Sequence, residues 1–154
     1  MALKLELSKG MKLDLTKEDN KSLELISVGV NWGKIKRVKT TTKREGGFFG
    51  LGGKLVESEE VVGLEDVDLD LSAIMFDKNG KHLSTVYYGR TYELGIKHSG
   101  DDRGGDDEDD GKDNETIFIE LSKTQPSVSK IVFVLVSFQG HRFGALPYAG
   151  INLY

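Results

Sequence analysis

DLDLSAIMFDKNGKHLSTVYYG, residues 68–89, decides the fold class. Leu69 and Leu71 fall on one face of an extended segment and Asp68 and Asp70 on the other, the period of two that belongs to a strand. The run ends in Asp77-Lys78-Asn79-Gly80. That is a strong hairpin signal, because Asn and Gly accept positive φ at little cost. HLSTVYYG then returns as the partner strand. Upstream, Ile26, Val28, Val30 and Trp32 share a face, and Leu3, Leu5 and Leu7 alternate with Lys4 and Glu6. Ser8-Lys9-Gly10 reads as a turn before the alternation resumes at Leu13 and Leu15. Downstream, TIFIEL (Thr116 to Leu121), KIVFVLVSF (Lys130 to Phe138) and GINLY at the end read as further strands. The nearly unbroken β-branched and aromatic run of the second suits a strand buried on both faces or set in a sandwich core. No segment offers a long amphipathic helix. The sequence predicts an all-β fold, a β-sandwich of mostly antiparallel strands.

The chain has 154 residues, which predicts a single domain over residues 1–154 with a core of its own. It has no cysteine, which excludes disulfides, thiolate zinc sites and cysteine nucleophiles and fits a reducing compartment. The net charge of -4 gives no general pull toward nucleic acid, which is not an expected partner. The N-terminus, MALKLELSKG, reads as a strand and lacks a signal peptide's apolar run. No apolar stretch approaches transmembrane length, so the expected location is cytoplasmic.

Two segments stand outside the sandwich pattern. The first is an insertion at about residues 33–63, with seven Lys or Arg between Lys34 and Lys54 and a glycine-rich centre around Phe48, Phe49 and Leu51. It reads as an extended hairpin or a mobile loop, either a solvated insertion or a partner-binding arm. Phe48 and Phe49 between glycines would touch a protein or, peripherally, a membrane surface. The second segment is HSGDDRGGDDEDDGKDNE, residues 98–115, in which nine of the fifteen residues from Asp101 to Glu115 are acidic. Such a run repels itself and stays unfolded unless something positive neutralises it. Asp106-x-Glu108-x-Asp110-Gly111 has the start of an EF-hand loop, but Ile117 occupies the twelfth position, where a bidentate Glu is needed. Gly100, Gly104, Gly105 and Gly111 instead suit an irregular calcium loop that adds backbone carbonyls to its carboxylates. Asp68 and Asp70, two apart on a strand and roughly 7 Å from each other, suit a cation or a basic partner between them. No nucleophile elbow and no phosphate-cradling loop appears, and His82, His98 and His141 are scattered, each reading as structural or exposed.

The segments LSKGMKLDLTK, VGVNW, DVDLDLSAIMFDKNGK, VYYG, IKHSGDD, DNETIFIEL and KIVFVLVSF, in that order, resemble the TerD family of tellurium-resistance and general-stress proteins. The resemblance covers most of the chain, and the pairing of DLDxSA with HSGD and DxE is its specific part. It implies a calcium-binding β-sandwich linked to tellurite resistance, phage inhibition and stress. Carried over by position, it implies acidic ligands at Asp68, Asp70, Asp101, Asp102, Asp113 and Glu115, for one or two calcium ions. Asn114 stands where many members have a second Asp, and remains a ligand through its side-chain or backbone oxygen. The chain departs from the family at Gly33, where Asp is usual, in the enlarged acidic stretch Asp106 to Asp110, in the insertion, and at Pro147. It also stops at Tyr154, short of the usual length, which implies a minimal variant or strands supplied by a neighbouring subunit.

The resulting expectation is a non-enzymatic module in which calcium orders residues 98–115 and creates a surface for a protein partner. The first alternative is an assembly protein, phage-associated or not, that oligomerises by strand or loop contacts. The second is a hydrolase using Mg²⁺ or Mn²⁺. Without cysteine, direct thiol chemistry on tellurite is excluded for this chain alone.

Overall fold

The computed structural model describes residues 24–46 and 53–154. The strands expected around Leu3–Leu7 and Leu13–Leu15, and the contact site expected at Phe48 and Phe49, lie outside the described residues. Within them run ten strands: β1 (Leu25–Trp32), β2 (Ile35–Glu45), β3 (Lys54–Glu65), β4 (Leu69–Phe76), β5 (His82–Val86), β6 (Tyr92–Glu93), β7 (Ile96–His98), β8 (Glu115–Glu120), β9 (Lys130–Ser137) and β10 (Ala149–Leu153). One turn of 3-10 helix, Phe143–Ala145, leads into β10. No helix among the described residues is long and apolar enough to cross a membrane.

The strands form a five-stranded sheet in the order β10-β1-β8-β7-β6, a three-stranded sheet β5-β4-β9 and a two-stranded ribbon β2-β3. Every pairing between them is antiparallel. The two larger sheets pack face to face. The alternation read from the sequence supplies the core: Val30 and Trp32 from β1, Leu69, Leu71, Ala73 and Met75 from β4, Ile96 from β7, and Ile117 and Ile119 from β8. The β4–β5 turn is fixed by Asp77, whose Oδ1 accepts the N–H groups of Asn79 and Lys81, each at 2.8 Å.

One hairpin differs from the sequence expectation. β6 and β7 were not legible as strands, because their hairpin turns on Leu94-Gly95, and Leu94 takes a left-handed φ of 51° that side chains other than Gly and Asn rarely adopt. β9, expected either buried on both faces or set in a sandwich core, takes the second form. Among the described residues it pairs only with β4, and its outward Val132 and Val136 are 39% and 49% exposed. Its apolar run reflects the inner face, where Ile131, Phe133 and Leu135 pack on the core. The insertion is an extended ribbon whose side chains are mostly exposed on both faces, with a bulge between Arg37 and Val38.

Candidate metal centre

β5 pairs with β4 only as far as Ala73, whereas β9 follows β4 to Leu69. One edge of β4 around Leu71 is therefore open to side chains, and two groups from the other sheet fill it. Glu115, the first residue of β8, accepts the Leu71 N–H on Oε2 at 2.8 Å. His98, the last residue of β7, meets the Leu71 carbonyl through Nε2 at 3.0 Å. The Gly100 N–H donates to His98 Nδ1 at 3.0 Å, which places the ring proton on Nε2. His98 Nε2 also lies 3.4 Å from Glu115 Oε2, and both side chains are 1% exposed. The other Glu115 oxygen accepts the Asp102 N–H at 3.2 Å. One buried carboxylate thus ties the acidic loop to the facing sheet, its desolvation offset by backbone donors.

This clamp brings Asp101 to the start of β4. Carboxylate oxygens of Asp68, Asp70 and Asp101 all lie within 4.8 Å of one another. Asp68 and Asp70 are 7% and 8% exposed, so they are not a solvated strand face. Burial, then Asp101, raises the Asp68 carboxyl above its ordinary range. Asp70 is pushed up to about 6, first by burial and then by Asp68, Glu115 and Asp101. Asp68 Oδ1 is buried with no hydrogen-bond partner among the described residues. On its open side the cluster meets one internal cation, Arg103, whose Nε is 3.0 Å from Asp101 Oδ2. Three crowded carboxylates, one with an orphaned buried oxygen, are the donor set a hard divalent cation takes. The cluster can hold a metal ion.

The other four residues assigned by resemblance are committed differently. Asp102 Oδ1 accepts the N–H groups of Gly104 and Gly105, each at 3.0 Å. Burial alone would raise its carboxyl, but these two bonds, Asn114 and Lys34 outweigh it and hold it low. Asn114 is a staple: its Oδ1 accepts the Trp32 N–H at 2.8 Å, while its Nδ2 donates to Asp102 at 3.2 Å and to Asp106 at 3.1 Å. An Asp there could not donate to either carboxylate. Glu115 uses both oxygens as above. Asp113 does not join the cluster. It lies over β1, where a Cβ at Gly29 would stand 1.9 Å from its Oδ2, and its Oδ1 accepts from Asn152 Nδ2 of β10 at 2.6 Å.

The acidic loop is folded rather than repelled apart, and the chain itself supplies part of the neutralisation. Lys34 bridges Asp66 at 3.1 Å and Asp107 at 2.8 Å, and Lys112 pairs with Asp110 at 2.7 Å. Gly100, Gly105 and Gly111 take positive φ. Backbone bonds then dock the loop: Asp106 N–H to the Trp32 carbonyl at 3.0 Å, and Val67 N–H to the Gly104 carbonyl at 2.9 Å. The Trp32 indole N–H, buried, donates to the Val67 carbonyl at 2.7 Å.

The model of the TerD domain matches residues 1–154. The chain belongs to the TerD family. It is 28% identical over 147 residues to the tellurium resistance protein TerZ of Serratia marcescens, covering 94% of this chain and 66% of that protein. It is 33% identical over 142 residues to the stress response protein SCP2 of Bacillus subtilis, covering 88% of this chain and 60% of that protein. The chain thus spans less than two thirds of the length of these relatives. Among solved structures, a homologue of the telluride resistance protein TerD from Streptomyces coelicolor superposes with a TM-score of 0.55 at 15% identity, over 86% of this chain and 66% of that one. A protein of unknown function, SAV2460, gives a TM-score of 0.57 at 18% identity, over 87% and 66%. At those identities the likeness is one of fold. Gly33 and Pro147, the positions where the resemblance implied a departure, are neighbours. A Cβ at Gly33 would stand 2.5 Å from the Tyr148 ring and 2.9 Å from Pro147 Cγ, so the glycine and the proline segment occupy one packing site.

Proposed function

We propose that this TerD-family chain is a calcium-dependent interaction module of tellurite-resistance or stress-response type, working through a protein partner rather than by catalysis. Its one domain binds the cation through Asp68, Asp70 and Asp101, with Asp102, Asn114 and Glu115 shaping the loop around them. The observation that carries the reading is the convergence of three carboxylates, two buried and one oxygen orphaned, from segments about thirty positions apart. Calcium suits an all-oxygen donor set in an irregular loop. When bound, it supplies charge neutralisation, and the chain's own residues do the rest. Glu115 and His98 hold the loop to β4, and Lys34 holds it to the segment before β4. The surface so ordered is what a partner would recognise. A non-catalytic role is supported by the chemistry of the neighbours, since Glu115 and His98 both spend their polar atoms on backbone groups. The roles that TerZ and SCP2 are named for, tellurium resistance and stress response, give the cellular context.

The reading is tested by thermal unfolding in calcium and in chelator. The wild type is expected to melt several degrees higher in calcium. A variant with Asp70→Asn and Asp101→Ala is expected to melt at one temperature in both. Identical wild-type curves would defeat the proposal.

A further inference from the structure

The β2–β3 ribbon has a property that the cation site does not explain. β2 carries Lys36, Arg37, Lys39, Lys43 and Arg44 against one acid, Glu45, whereas β3 carries Glu57, Glu59, Glu60 and Glu65 against one base, Lys54. Each strand pairs only with the other, so along 11 and 12 residues one backbone edge of each is unpaired among the described residues. At the base, Arg37 meets Glu65 at 3.0 Å and His141 meets Glu65 at 3.1 Å. Beyond it Lys39 stands opposite Glu60 in register, yet no other ion pair between the ribbon's strands comes within 4.0 Å among the described residues. Val38 and Val61 oppose each other and, with Leu55, are 50%, 54% and 61% exposed. A long, partly apolar edge is a pairing template, and an isolated two-stranded ribbon is marginal in water.

We propose that the ribbon is a self-association surface in which the basic edge of β2 adds to the acidic edge of β3 from a second copy. Charge selects this pairing over the alternatives. β2 on β2, or β3 on β3, would set like charges across the new ladder, whereas β2 on β3 repeats the intramolecular register and brings Lys39 beside Glu60 of the second copy. Two copies related by translation keep β3 antiparallel to the next β2, so the joint has the geometry of the ribbon itself. The contact is heterologous, leaves one free edge at each end, and extends beyond a dimer. Its exposed charges make it salt-sensitive.

The test is sedimentation velocity over a wide range of protein concentrations, in fixed calcium so that the cation site does not enter. In low salt the average mass of the wild type is expected to rise with concentration past the dimer, and in high salt to fall back to the monomer. Reversing β3 (Glu57→Lys, Glu59→Lys, Glu60→Lys) or β2 (Lys39→Glu, Lys43→Glu, Arg44→Glu) should weaken association by about tenfold or more, and mixing the two variants should restore it. A protein with residues 38–61 replaced by a short turn keeps the sandwich whatever happens to the reversed ribbons, and should stay monomeric. A wild type that is monomeric at every concentration in low salt would overturn the proposal, as would undiminished association after the ribbon is shortened.

Discussion

At the scale of residues, Asp70 concentrates the chemistry of the site. Its backbone lies in the β4–β9 ladder opposite Val136, so the carboxylate cannot retreat from Asp68 and Asp101 without breaking a strand. Unfolded, the group ionises near 3.8, and folded it ionises near 6, so between these values the native state holds a proton the unfolded chain has lost. Its contribution to stability is complete below about pH 4 and is lost as pH rises through about 6. Asp102, held low, contributes in the opposite direction, so the difference between variants isolates Asp70. In chelator, the wild type should lose stability relative to Asp70→Asn as pH rises from about 4 to 7, by on the order of one to a few kcal/mol. Urea midpoints at several pH values measure this, and parallel profiles would contradict it. The spacing of Asp68 and Asp70 pointed to a cation or a basic partner beside them. Their meeting with Asp101 was not, because alternation along one strand says nothing about a loop about thirty positions away, and only the family resemblance placed that residue. His98, scattered and bland in the sequence, acquires its role from the open edge of β4, which no local pattern announces.

At the scale of elements, the acidic loop behaves as an extension of the five-stranded sheet. Asp106 bonds to Trp32 and Lys34 through its backbone, and Asn114 holds Trp32, Asp102 and Asp106 together. Its carboxylates act as turn caps, which is why a run that composition alone marks as self-repelling is folded. Its far end is pinned by Asp113 over Gly29. Gly29→Ala puts a methyl into the Asp113 carboxylate and should cost about 1–3 kcal/mol, the range for overpacking. Combined with Asp113→Ala, most of that cost should vanish, since the clash is then gone. Urea unfolding of the four proteins in this cycle measures the coupling, and strictly additive losses would show that Asp113 does not rest there. Hairpin signals built on Asn-Gly revealed β4 and β5, while the Leu94-Gly95 turn hid β6 and β7. The run of β9 left open burial on both faces or a place in a sandwich core, since an apolar residue facing water looks the same in sequence as one facing a core.

At the scale of the molecule, the two sheets are joined by their core and by one polar bridge, in which Glu115 and His98 of one sheet hold Leu71 of the other. The carboxylate cluster sits beside that bridge. A cation there fastens the loop after β7 to the start of β4 and so couples loop order to the packing of the sheets. The ribbon stands apart and carries its charges outward. This division, with a cation-ordered face on the sandwich and a charged arm beside it, accounts for two surfaces with separate requirements. Isothermal titration of calcium into chelator-stripped protein near neutral pH shows whether Asp68, Asp70 and Asp101 bind the ion. Binding at roughly 10 µM or tighter is expected, abolished by Asp70→Asn and retained at that site in Asp113→Ala. Absence of binding by the wild type, or binding unchanged in Asp70→Asn, would contradict it.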